Sequence, residues 1–181
     1  MTVHFVEWNT GRNLLKEASR LYDAAGTFDC VEKDDLVAVK LHVGELGNPY
    51  YVQPVFLHDI VRRVKESGGK TFLTDSNTYY HAQRNNGYDH MITAMMNGFS
   101  MAPFVVADGL RGENYRIVRT KGILKEIEVA GVIAEADAMI VVSHVKGHEL
   151  SGFGGAIKNL GMGCTSRAGK KTASNRGFGD R

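Results

Sequence analysis

The chain has 181 residues, 43% of them hydrophobic and 23% charged, with a formal net charge of +2. That length allows one substantial core and excludes two comfortable domains. The charge is too small to call for a polyanionic partner, and no apolar run approaches the roughly 20 residues that span a bilayer. A soluble protein with neither a nucleic-acid nor a membrane function is expected. The start, MTVHFVEWNTGRN, lacks the basic-then-apolar order of a signal peptide. Two cysteines, Cys30 and Cys164, supply no disulfide framework, so a reduced, cytoplasmic setting is expected.

In chain order, residues 3–8 form a short apolar run that predicts a strand. Residues 13–25 follow with Leu14, Leu15, Ala18, Leu21 and Tyr22 at helical spacing and Gly26 as a stop. The run 36–43 is apolar without alternation, as in parallel strands buried on both faces. Pro54 suits a first helical turn, and Phe56, Ile60, Val61 and Val64 make a helical stripe that ends at Ser67-Gly68-Gly69. A strand is predicted over 71–75, and a helix over 88–96. In that helix Met91, Ile92, Met95 and Met96 are expected to pack into the core, with His90, like His81, on the surface. A strand over 104–107, a β-hairpin from 115–120 and 123–129, a short helix over 132–136 and a strand over 138–145 complete the body. A helix is predicted to open over 154–160. The chain therefore reads as an α/β protein: a mainly parallel sheet with helices on both faces, plus a small β-hairpin. Residues 1–164 form the single domain. Residues 165–181, a Gly- and Ser-containing stretch with five basic residues against Asp180, read as a flexible, solvated tail.

Ligands bind outside the carboxyl ends of the strands in such sheets. Lys40 and His42 end one strand; Asp75 ends another and leads into Ser76-Asn77; Asp108 follows a third; Ser143 and His144 end a fourth, followed by Lys146 and His148. Burying such groups costs several kcal/mol each unless they are paired, so one polar rim facing a ligand is the economical reading. The densest segment, Ser143 to Gly155, joins two histidines, a lysine and Glu149 to a glycine-rich approach to a helix. Gly152, Gly154 and Gly155 allow close backbone approach, a helix start favours an anion, and Lys158 and Asn159 follow. Neither GxxxxGK[ST] nor GxGxxG after the first strand is present. His144 and His148 are the candidate proton carriers. His42, His144, His148 and Cys164 are candidate ligands for a divalent metal, with Asp75, Asp108 and Glu149 as further donors; Cys164 reads equally as a small side chain packed behind Gly161-Met162-Gly163.

The stretches KLHVGELGN (40–48), GGKTFLTDSNTYY (68–80), PFVVADGL (103–110) and SHVKGHELSGFGGAIKNLGMGCTSRAGK (143–170) resemble a domain-of-unknown-function family whose members are described as uncharacterised Fe–S centre proteins. The resemblance implies coupling to a ferredoxin-like domain or protein, because many members carry a following CxxCxxCxxxCP module that holds [4Fe–4S] clusters. Two cysteines cannot supply the four thiolates of such a cluster within one chain, so iron–sulfur binding is expected only through that further module. Residues 152–158 also resemble a Gly-Phe-x-Gly-Gly-x-Lys segment of nickel-pincer lactate racemases, in which the position of Lys158 tethers the cofactor. Met162 replaces the proline found there, and no histidine follows His148 to take the nickel-binding role. Together these expectations describe a domain that binds or transforms a small anionic metabolite. The alternative is a non-catalytic metal-binding or electron-transfer accessory module. A homodimer is compatible with either.

Overall fold

The computed structural model describes residues 2–9, 11–148 and 152–177, with side chains through 172. Its centre is a four-stranded, all-parallel sheet in the order β3-β2-β1-β6, formed by Leu36–Lys40 (β1), Lys70–Asp75 (β2), Phe104–Val106 (β3) and Ala138–Val141 (β6). The pairing is in register, with Lys40 opposite Thr74 of β2 and Val141 of β6. An α/β fold with a parallel sheet is thus what the run-together strands of the sequence dictate.

Alternate side chains of β1 go to opposite faces. Val37 and Val39 join Leu41, Val43, Leu73 and Ile140 in a core closed by Leu57, Ile60 and Val64 of helix α2 (Leu57–Glu66) and by Ala94 and Phe99. Pro54 opens the short 3-10 turn Pro54–Phe56 ahead of α2. Helix α1 (Leu14–Ala24) starts where Asn13 Oδ1 accepts from Lys16 N at 3.2 Å, and buries no residue fully. It is held to α2 through Arg63, which pairs with Asp23 and donates to Ser19 Oγ.

Beyond β3 the chain forms the antiparallel hairpin Tyr115–Arg119 (β4) and Glu126–Ala130 (β5), then the five-residue helix Gly131–Glu135 (α4), and enters β6 on the far side of β1. The strand order therefore reverses between β1 and β6, which in open parallel sheets opens a crevice at the carboxyl ends.

Several expectations are corrected. Residues 3–8 pair with no strand, and Val3, Phe5 and Trp8 are 73–85% exposed. In α3 (Gly87–Met96) the buried residues are Gly87, His90, Thr93 and Ala94, whereas Met95 and Met96 are 63% and 72% exposed. The methionines are not core, and His90 is not on the surface. A second hairpin, Lys146–His148 (β7) with Gly152–Gly154 (β8), precedes α5 (Ala156–Gly161). The stretch read as a tail is instead helix α6 (Arg167–Gly177), with Thr165, Ser166 and Lys170 buried ahead of and within it. Residues 178–181 lie outside the described residues.

Candidate functional site

At the carboxyl ends of β1, β2 and β6 a cleft of about 310 Å³ opens. Asp75 organises its floor. Its Oδ1 accepts from Lys40 Nζ at 3.0 Å and from Ser76 N at 2.9 Å; its Oδ2 accepts from Arg84 Nη1 at 3.1 Å. His90 Nε2 and His42 Nδ1 lie 3.7 and 4.0 Å from the same oxygen. Burial would raise this carboxyl, but Lys40 and Arg84 hold it well below the usual range. The network reaches the flanking loops, since Arg84 Nε and Nη2 also donate to Glu45 Oε1 at 3.0 and 2.7 Å, and Nη2 to the Tyr80 hydroxyl at 3.2 Å.

Lys40 is fully buried; beyond Asp75 it donates to Leu41 O at 2.8 Å and Asn159 Oδ1 at 2.6 Å. Asn159 in turn donates to Val142 O and Ser143 Oγ at 3.1 and 3.0 Å, which ties α5 to the end of β6. Asn77 is equally enclosed: its side chain donates to Asp108 Oδ1 and Gly109 O, and its Oδ1 lies 3.4 Å from His90 Nδ1. Asp108 also accepts from Asn77 N and Arg167 N.

Of the residues singled out from the sequence, His42, Asp75, His144, Lys146, His148, Gly154, Gly155, Lys158 and Asn159 line the cleft. Lys40, Asn77, Gly152 and Cys164 do not. Lys40 and Asn77 stand behind the wall, Gly152 is exposed on β8, and Cys164 is half-buried, with burial pushing its thiol up. Sequence reasoning missed Arg84, Lys170 and Ser76 as wall residues. Arg84 sits in a loop with no periodic signal, and Lys170 was masked by the basic composition around it.

Metal binding by His42, His144, His148 and Cys164 is not met. Among the described residues no three His, Cys, Asp or Glu side chains come together to hold an ion. Glu149 lies outside those residues. His42 accepts from Gly44 N through Nδ1 at 3.2 Å, and burial, with Arg84 next, pushes its pKa down to about 3. It is a neutral imidazole. His144 Nδ1 is buried with no hydrogen-bond partner among the described residues.

The expected anion site at the start of a helix is also changed. Gly155 precedes only a six-residue helix, so the charge facing the cleft comes from side chains. Arg84, Lys146, Lys158 and Lys170 line it, while Asp75 is the single carboxylate among the described lining residues and is already paired twice. No carboxylate of the described residues lies within 4 Å of Lys146, Lys158 or Lys170. Burial and the neighbouring Lys146 lower the pKa of Lys158.

Fold and site together define a parallel α/β domain with a cation-lined cleft at its topological switch point. The chain belongs to the family described as Domain of unknown function (DUF362), whose model matches residues 37–180. That description names no cofactor and no reaction. No curated protein and no solved structure matches the chain. No helix among the described residues is long and apolar enough to cross a membrane.

Proposed function

We propose that the cleft binds a small anionic metabolite, a carboxylate or phosphate, and that His144 and His148 carry protons to and from it. The observation that carries this reading is the charge balance of the wall: Lys146, Lys158 and Lys170 have no carboxylate partner among the described residues, and the one lining carboxylate, Asp75, is already neutralised by Lys40 and Arg84. Like charges held together on a cleft wall repel, and an anion between them relieves that repulsion. Lys146 and Lys158 form the outer part of the clamp, on β7 and α5, and Arg84 and Lys170 the inner part. Histidine suits the proton transfer because its ordinary pKa lies near 6.5. Coupling to a ferredoxin-like partner is a separable part of the proposal and rests only on the family resemblance of residues 40–48, 68–80, 103–110 and 143–170.

Thermal unfolding with phosphate and with small carboxylates tests it. An anion at about 100 times its Kd stabilises by about 2.7 kcal/mol, and a chain of this size gains about 2–4 °C per kcal/mol, so binding is readable as a shift of several degrees. Wild type shifts; Lys158→Ala unfolds at the same temperature without ligand and shifts less with it, since Lys158 has no carboxylate partner among the described residues to lose. No shift with any anion, or equal shifts in both proteins, overturns the reading.

A further inference from the structure

Lys170 is a buried lysine with only neutral hydrogen-bond partners. It is 6% exposed and lies on the first turn of α6, and its Nζ donates to Ser76 Oγ and Asn77 O, both at 2.6 Å. Lys40, just as buried, has the carboxylate of Asp75 at 3.0 Å. Lys170 has no such partner among the described residues. The charged groups around it are Asp75 of β2 and Asp108 after β3, which favour its ammonium form, and Lys40 of β1 and Arg84, which oppose it; Cys164 lies near as well. Taking an ammonium out of water without a carboxylate costs several kcal/mol, and burial pushes the pKa of Lys170 down to about 8. A substantial neutral fraction at slightly alkaline pH follows.

The geometry then decides what that amine faces. Ser76 Oγ and Asn77 O are fixed at the end of β2, and they take two of the directions around the tetrahedral nitrogen. Lys170 also lines the cleft, which leaves its remaining valence on the ligand side. The polarity of the serine contact excludes the opposite assignment. Ser76 Oγ donates to Gly163 O at 2.7 Å and accepts from Lys170, so the serine proton is directed away from the amine.

We propose that Lys170 is a covalent nucleophile that forms a Schiff base with a small keto or aldehyde acid in the cleft. The nitrogen lone pair attacks the carbonyl carbon and gives a carbinolamine. Loss of one water, with the amine protons passing to solvent or to the leaving hydroxyl, leaves the imine. Its protonated form withdraws electrons from the adjacent carbon, as lysine imines do in covalent catalysis. The carboxylate clamp at Lys146 and Lys158 rests on the anion-binding reading above; the nucleophilic role of Lys170 does not.

The test treats the full chain with pyruvate, or with neutral hydroxyacetone, in the presence of sodium borohydride, which reduces an imine to a stable secondary amine. Intact mass and peptide mapping then locate the label. The expected result is one adduct per chain on Lys170, forming faster as pH rises through about 8 and roughly tenfold faster with pyruvate than with hydroxyacetone, the worth of one charge-assisted contact. Lys170→Arg abolishes the adduct, while Ser76→Ala keeps it. Should either variant fail to fold, the map of wild type decides alone. A label on Lys158 or Lys146, a label spread over exposed lysines, or no label overturns the proposal. If pyruvate raises the melting temperature yet Lys170 stays unlabelled, this proposal fails and the anion reading stands. If both carbonyls label Lys170 equally, the amine stands and the anion reading fails.

Discussion

Gly163 sets how closely the turn after α5 approaches Lys40. A Cβ at this position would run into Asn159 O and would stand 2.6 Å from Lys40 Nζ. The backbone has no room to retreat, because Ser76 Oγ is hydrogen-bonded to Gly163 O. Gly163→Ala should therefore destabilise by about 1–3 kcal/mol, the usual range for overpacking, read by urea unfolding. Gly161→Ala is the control: a Cβ there meets nothing within 4 Å, and it should leave stability unchanged or slightly raised. Equal effects would show that the Lys40 contact does not constrain the turn. Single residues were legible in the sequence where strand ends announced them, as with His42, Asp75 and His144. Which of them face the ligand was not legible. Lys40 and His42 are two residues apart, yet one is sealed against Asn159 and the other lines the cleft.

Helix α3 shows how an element orients itself against its own hydrophobic pattern. Its apolar stripe predicts Met91, Ile92, Met95 and Met96 inward, but its inner face carries His90 and Thr93. Asn77 and Asp75 lie at the end of β2 beneath it, and their polar atoms take His90 at 3.4 and 3.7 Å. A methionine there would leave the buried Asn77 Oδ1 without its His90 partner, at a cost of about 1–3 kcal/mol for one unsatisfied group. Met95→Lys and Met96→Lys should accordingly change stability by no more than about 0.5 kcal/mol. His90→Met should cost several times that. Thermal unfolding of the three variants checks the order, and a large loss in the lysine variants would place the stripe inside after all. Helix α6 carries the same lesson. Its four basic residues and sparse apolar positions read as solvated chain, and contacts distant in sequence, with Ser76, Asn77, Thr78 and Asp108 among them, hold it in place.

For the whole molecule the buried ionisable groups set the response to acid. His42 is held near 3 against an ordinary value of 6.5, mainly by burial, and His90 is lowered for the same reason. Between those values the unfolded chain binds more protons than the folded one, so stability falls as pH drops from 6.5 toward 3. Asp75 acts in the same direction, its contribution being present above the ordinary carboxylate value and lost as pH falls toward its lowered one. Urea unfolding across this range should show a steady decline that His42→Gln makes shallower. A flat profile in wild type would contradict the buried, neutral state of His42. On the alkaline side Lys170 contributes with the opposite visibility: its penalty is full below about 8 and relieved as pH rises toward 10.5.

Taken alone, the amino-acid order determined the α/β class, four strands read at 36–43, 71–75, 104–107 and 138–145 that form at 36–40, 70–75, 104–106 and 138–141, the hairpin β4–β5, and polar residues at the strand ends. These follow from local rules, namely unbroken apolar runs, capping residues and the glycines that stop helices, each spelled within about ten residues. The tertiary structure alone decided which polar groups face the cleft, which face of α3 is inside, and that Lys170 is part of the wall. Each of those outcomes depends on pairing Asp75, Ser76, Asn77 or Asp108 with residues up to 94 positions away. A buried charge must find its partner wherever the folded chain brings one, and no local pattern encodes that choice.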